Sequence, residues 1–342
     1  MVSIIDVAKQ ANVSITTVSR VLTGSAHPVS EETRERVLEA VEALNYSPSA
    51  LAQAMVTRAT HIVGVIVGDA SDPYFATIVR GVEDVARRHG YLVIVCNSDR
   101  VPEIELQYLH TLSSYRVDGV IFAGGGLTDD EYLSKMQQTL DAFQRRGAVF
   151  VSLAKHLLPS SISVLVDNEQ VVKDAVHYLS HLGHRSIAYV SGPGLLTTSK
   201  LRLEGYKSSL ARHGLEFQPH LVFDGDYTYE SGLRAAQAIH NLPDRPSAVL
   251  ASNDLMAIGC IVGLKELGCR IPQDISVMGI DDILTAQFVD PPLTTIALPM
   301  YDLGAIGMDR LIQLRRKETP DIEPLTLPHH LVVRKSTAGV GD

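Results

Sequence analysis

The sequence predicts an all-α unit at the N-terminus followed by a two-lobed α/β domain built on doubly wound parallel sheets. Three observations carry this. Two short helical patterns meet at a tight turn at Asn12, with a third helical pattern beyond. From Ile62 onward, short apolar runs alternate with helical stretches, the mark of βαβ units. Those runs fall into two similar sets, and two sets imply two lobes.

In the first unit, Ser3 and Asp6 suit the start of a helix over about 4–11, with Val7, Ala8 and Ala11 inward. Asn12 tolerates the left-handed backbone that the turn needs. Ser14 can cap a second helix striped by Val18, Val21 and Leu22. A third helix starts near Ser30, with Val37, Leu38, Val41 and Leu44 on one face. This is a helix-turn-helix, whose second helix enters a DNA major groove. Its early residues are Ile15, Thr16 and Thr17, with Arg20 one turn on. Arg20 can make two hydrogen bonds to guanine, and Ile15 can touch a thymine methyl. Ser14, Thr17 and Ser19 carry hydroxyls suited to phosphates. The alternative is a three-helix packing unit whose hydroxyls only cap helices.

Ser47-Pro48 opens a short helical segment to about Val56. Helices this short are marginal alone, so it is expected to order only on DNA with a partner subunit.

In the large domain, runs at 62–67, 91–96 and 119–124 read as buried strands, with helices near 74–89, 102–115 and 129–146. A second set has strands at 186–192, 248–252 and 275–280, and helices near 168–182, 199–213, 229–240 and 254–267. TTIALPM and a helix at 302–316 read as a return to the first lobe. Such sheets bind ligands beyond the carboxyl ends of their strands. Those ends carry Asp72, Tyr74 and Phe75, then Thr198 and Arg202, then Asn253 and Asp254, then Asp281; Tyr227 lies in another cleft loop. Asp254 has the alternative of capping a helix, and Arg202 of bridging the lobes.

Composition sets the bounds. The chain has 342 residues, 45% apolar and 20% charged, as expected for an ordinary globular protein of two or three folding units. No run of 18 apolar residues appears, and the N-terminus lacks a signal-peptide pattern, so a cytoplasmic protein without membrane contact is expected. Cys96, Cys260 and Cys269 are widely spaced, which fits reduced thiols. The net charge is −9, and residues 1–60 hold five basic against six acidic groups. DNA binding must therefore rest on geometry more than on bulk charge.

Enzyme readings lack support. G-x-G-x-x-G after the first strand, G-x-x-x-x-G-K-[ST], G-x-S-x-G and H-E-x-x-H are all absent. Gly124-Gly125-Gly126 reads as a flexible loop. His181 and His184 flank a loop and make a poor metal pair. No cofactor and no metal are expected.

Residues 3–23, with the pattern D-V-A-x-x-A-x-V-S-x-x-T-V-S-R-V-L, closely resemble the headpiece of the LacI/GalR family of bacterial repressors. VSEETRERVLEAVEALNYSPSALAQAM resembles that family's third helix and hinge helix. RVDGVI at 116–121, VDN at 166–168, LGHRSIAYVSGP at 182–193, SNDLMAIG at 252–259, IPQDISVMGIDD at 271–282 and PPLTTI at 291–296 match as well.

The resemblance implies a sequence-specific repressor, active as a homodimer on double-stranded operator DNA, with a periplasmic-binding-protein-like sensor. It implies a division into a headpiece (1–46), a hinge (47–60) and an effector domain (61–342), with lobe crossings near 161, 291 and 324. It places Phe75, Thr198, Arg202, Tyr227 and Asp281 among the effector contacts. In the hinge, Ala52 and Met55 are the expected DNA contacts; Met55 stands where the family usually has a wedging leucine, and methionine can still wedge. One branch of the family carries an arginine at the position of Leu196, suited to purine or anionic effectors. Its absence here favours a neutral sugar, polyol or nucleoside. A solute-binding protein shares the fold but has no headpiece.

Overall fold

A computed structural model describes residues 2–23, 27–47, 59–157, 162–317 and 323–341. The chain separates into two compact units, Met1–His61 and Ile62–Asp342.

The first unit holds α1 (Ile4–Gln10), α2 (Ile15–Thr23) and α3 (Glu31–Ala43). The Asp6 carboxylate accepts from the Ser3 backbone N–H at 2.9 Å and from its hydroxyl at 2.8 Å, pinning the start of α1. Asn12 takes φ 53°, the left-handed turn expected of it. Val7, Ala8, Ala11, Val18, Val21, Val37 and Ala40 form the core. Leu38 departs from the expected face and is about half exposed. At 100° per residue the buried stripe runs through Val37, Ala40, Val41 and Leu44, and Leu38 falls off its edge. The hinge, with Ala52 and Met55, lies outside the described residues.

The second unit has two six-stranded sheets. In the first lobe are β1 (Ile62–Val67), α4 (Pro73–Arg88), β2 (Leu92–Asn97), α5 (Pro102–Ser114), β3 (Gly119–Phe122), α6 (Asp130–Gln144), β4 (Val149–Ser152) and β5 (Ile162–Val166). In the second are α7 (Asn168–His181), β6 (Ile187–Ser191), α8 (Thr197–Arg212), β7 (Val222–Asp224), α9 (Tyr229–His240), β8 (Ala248–Ala251), α10 (Asp254–Glu266), β9 (Ser276–Asp281) and β10 (Thr294–Ala297). The chain then returns through α11 (Met300–Arg315) and β11 (Leu325–Leu327), and ends its sheets with β12 (His330–Val332). The strand orders are β11-β5-β4-β3-β1-β2 and β12-β10-β9-β8-β6-β7. Every pairing is parallel except β10 with β12.

The three crossings lie later than expected. β5 pairs with β4, Val151 against Ile162, so the chain stays in the first lobe to Val166, not 161. TTIA pairs with β9, Thr294 against Met278, so it belongs to the second lobe and the return follows Ala297, not 291. β11 pairs with β5 and β12 with β10, so the last crossing lies between Leu327 and His330, not at 324. Strand pairing decides membership in each case, and no pattern within one strand reveals its neighbour.

Helices α4 and α11 cover one face of the first sheet and meet at two glycines. A Cβ on Gly81 would run into the Tyr301 carbonyl, and one on Gly304 into the Ile78 carbonyl. All three cysteines are buried free thiols.

Candidate functional site

On α2 of the headpiece, Ser14, Ile15, Thr16 and Arg20 are exposed, while Thr17 and Ser19 are half-buried. Ser14 Oγ accepts from the Thr17 N–H at 3.1 Å and pairs with the Thr17 hydroxyl at 2.9 Å. Both hydroxyls therefore start the helix, as capping predicts. Ile15, Thr16 and Arg20 are left facing outward, and an exposed isoleucine at the head of such a helix makes an apolar contact available.

In the large unit, Asp72, Tyr74, Phe75, Thr198, Arg202, Tyr227, Asn253 and Asp281 all line one cavity of about 710 Å³, its mouth included. Most sit just beyond a strand or at a helix start; Asp281 ends β9, and Arg202 lies in the second turn of α8. Asp72 caps α4 by accepting from the Tyr74 N–H at 2.9 Å. Tyr74 and Phe75 stand edge to face, ring centres 5.1 Å apart. Across the cavity, Asn253 caps α10 and its amide donates to the Tyr227 carbonyl at 3.0 Å. The Tyr227 hydroxyl pairs with Ser199 at 2.9 Å.

Arg202 is the electrostatic centre. Its Nε donates to Asn168 Oδ1 at 2.8 Å and its Nη1 to the Ser252 carbonyl, both in the second lobe. Its Nη2 lies 3.9 Å from Asp281 Oδ1. That oxygen is buried and has no hydrogen-bond partner. Burial pushes the Asp281 carboxyl well above the usual range, with Arg202 pulling the other way. Asp281 also holds φ 124°, a region that side chains rarely adopt. Strain and an unsatisfied carboxylate in a cavity together describe a group kept ready for a donor. Beside it, Asp254 does not cap its helix, since Asn253 does. Its carboxylate accepts from the Ile283 N–H at 2.9 Å and the Thr295 hydroxyl at 2.6 Å, and burial raises it to about 7.

Comparison with known proteins matches both units of the chain. Residues 3–49 match the family described as "Bacterial regulatory proteins, lacI family", and residues 176–337 match "Periplasmic binding protein-like domain". Catabolite control protein A of Priestia megaterium is 37% identical over 340 residues, covering 98% of this chain and 99% of that one. The chain belongs to the LacI family. The crystal structure of the Lac repressor dimer bound to operator and the anti-inducer ONPF superposes on this LacI-family chain with a TM-score of 0.85 at 32% identity, covering 98% and 99%. A complex of the regulator CelR with cellobiose gives 0.72 at 31%, covering 98% and 100%. This LacI-family protein is a DNA-binding transcription regulator and not an enzyme. Among the described residues, no helix is long and apolar enough to cross a membrane.

Sequence reasoning missed part of the cavity wall of this LacI-family chain. Arg100 follows β2 and lies over both Phe75 and Tyr227, 5.7 and 5.5 Å from their ring centres, so one cation touches both lobes. It was findable, because the rule about strand ends applies to β2 as to β1. Glu105 and His156 had no such signal. Glu105 is buried, accepts from the Tyr132 hydroxyl at 2.5 Å, and is pushed up by burial. His156 packs at a tilt against Phe122, ring centres 5.3 Å apart, and lies 3.0 Å from the Gly124 carbonyl, with burial lowering it to about 4.

The glycine run at 124–126 is more than a flexible loop. Thr128 N–H donates to the Leu195 carbonyl and Thr197 N–H to the Gly126 carbonyl, each at 2.9 Å, so the two lobes are stitched along one rim. A Cβ on Gly125 would collide with Thr198, and one on Gly126 would press on His156. Only glycine allows the lobes this close.

Proposed function

We propose that this protein is a cytoplasmic, homodimeric repressor that binds double-stranded operator DNA and is controlled by a neutral sugar, polyol or nucleoside in its cleft. The observation that carries the effector class is the pairing of Arg202 with an unsatisfied Asp281 oxygen, opposite the rings of Tyr74 and Phe75. Carboxylate and guanidinium accept from and donate to hydroxyls, and aromatic faces suit the apolar side of a sugar or a base. Leu196 lends the wall an apolar side chain, and the two arginines that line the cavity each face a carboxylate, Arg100 with Asp72 and Arg202 with Asp281, both at 3.9 Å, which favours a neutral effector. The cellobiose held by CelR is of the same chemistry.

Ser14, Ile15, Thr16, Thr17, Ser19 and Arg20 would read each half-site, with Ala52 and Met55 of the hinge in the minor groove. The effector acts by binding the DNA-competent and incompetent states unequally, with a coupling of about 1–3 kcal/mol that must be reciprocal.

The test is a thermal-shift screen of the full chain against sugars, polyols, nucleosides and purines, followed by operator titrations with and without the hit. At about a hundred times its Kd a ligand adds roughly 2.7 kcal/mol, so a shift of several degrees is expected. No shift from any neutral hydroxylated ligand would overturn the effector class. An unchanged operator affinity in the presence of a bound hit would overturn the coupling.

A further inference from the structure

Five of the thirteen histidines gather on one face of the second lobe, away from the cleft. His177 and His181 lie one turn apart on α7 and share a side of it. His213, the residue after α8, meets them from the neighbouring helix. The ring centres are 4.0 Å apart for His177 and His181, 5.1 Å for His177 and His213, and 6.0 Å for His181 and His213. His329 and His330 line the adjoining groove, where His329 is 2.8 Å from Asp174. We infer that His177, His181 and His213 form a surface binding site for a divalent transition-metal ion of the Zn²⁺, Ni²⁺ or Cu²⁺ class.

The geometry is close to what such an ion requires. Zinc takes imidazole nitrogens at about 2.0–2.1 Å in a tetrahedron, which sets neighbouring nitrogens about 3.4 Å apart and ring centres about 5 Å apart. His177 Nδ1 and His213 Nε2 are separated by 3.2 Å. The third ring is oriented by the backbone: His181 Nδ1 lies 2.9 Å from the His177 carbonyl, to which it can only donate. Its Nε2 is then left as the donor to metal, the arrangement by which metal-binding histidines are usually fixed. Among the described residues, no three donors already converge on one centre. Closure needs only rotation of side chains that are exposed or half-exposed, between staggered positions. Three ligands leave a fourth position for water. His184, the other histidine of the sequence pair, plays no part: it is buried and its ring meets Ser247 and the Ala338 carbonyl.

The experiment is calorimetric titration of the tag-free full chain, stripped with chelator, with Zn²⁺. One ion per chain is expected, with affinity falling more than tenfold in His213→Gln and vanishing in the triple variant His177→Gln/His181→Gln/His213→Gln. Matching thermal midpoints in chelator would show that the variants fold. With Cu²⁺, nitrogen hyperfine structure in the electron paramagnetic resonance spectrum should be lost in the same triple variant. Retained binding in that variant overturns the assignment. So does binding abolished instead by Cys269→Ser, since Cys269 and His240 lie 3.6 Å apart and offer zinc another pair of donors. Wild-type binding no tighter than millimolar overturns it as well.

Discussion

At the scale of single residues, the cleft trades stability for readiness. Asp281 is buried, strained and short of a donor. Asp281→Asn replaces a buried carboxyl short of a donor at nearly constant shape, so the thermal midpoint should hold or rise while affinity for the effector falls about 10–100-fold; a parallel loss of both would mean that Asp281 is structural. Asp254 gives a pH signature. Its folded carboxyl, raised to about 7, binds a proton more tightly than the ordinary carboxyl near 4. Stability from this group is therefore present below about pH 4 and lost as pH climbs to about 7. Asp254→Asn can keep both partners, accepting from Ile283 N–H and donating to Thr295. Urea midpoints should fall less steeply for the variant than for wild type between pH 4 and 7. In the headpiece, Arg20→Ala should relax discrimination at one base pair by about 1–3 kcal/mol; uniform weakening over all sequences would make Arg20 a phosphate contact. Much of the cavity was legible because its residues follow strand ends. Glu105 was not, because its meaning depends on Tyr132, a helix and a strand away.

At the scale of elements, the sequence is most readable where it is most periodic. The helices fall within two residues of expectation, since capping by Ser30, Asp72, Thr228 and Asn253 marks their starts chemically. The three-residue strands β7, β11 and β12 were invisible, being too short to show alternation and lying at sheet edges. Helix pairing was equally hidden. Nothing in the sequence says that Gly81 and Gly304 mark the crossing of α4 and α11. Gly304→Ala should gain a little helix propensity yet lose about 1–3 kcal/mol or more, because its Cβ meets backbone and not a movable side chain. Thermal unfolding of the full chain checks the sign: a rise in midpoint would mean that the helices part easily.

At the scale of the whole molecule, the rim contacts and the three crossings make the sensor one mechanical body with a cleft. Operator and effector titrations should show equal and opposite linkage, each ligand changing the other's Kd by the same factor, about 5–150-fold. The crossings also bear on how such a chain is made. The first sheet stays open at its edge until Leu325–Leu327 joins it, and the second until His330–Val332 pairs with Thr295–Ala297. Ser336 then fastens Val277 and Thr294 from the tail, at 2.8 Å each. A ribosome making this protein must therefore hold two unfinished lobes until residues 325–332 have emerged, whereas the three headpiece helices are complete by Ala43 and can pack long before.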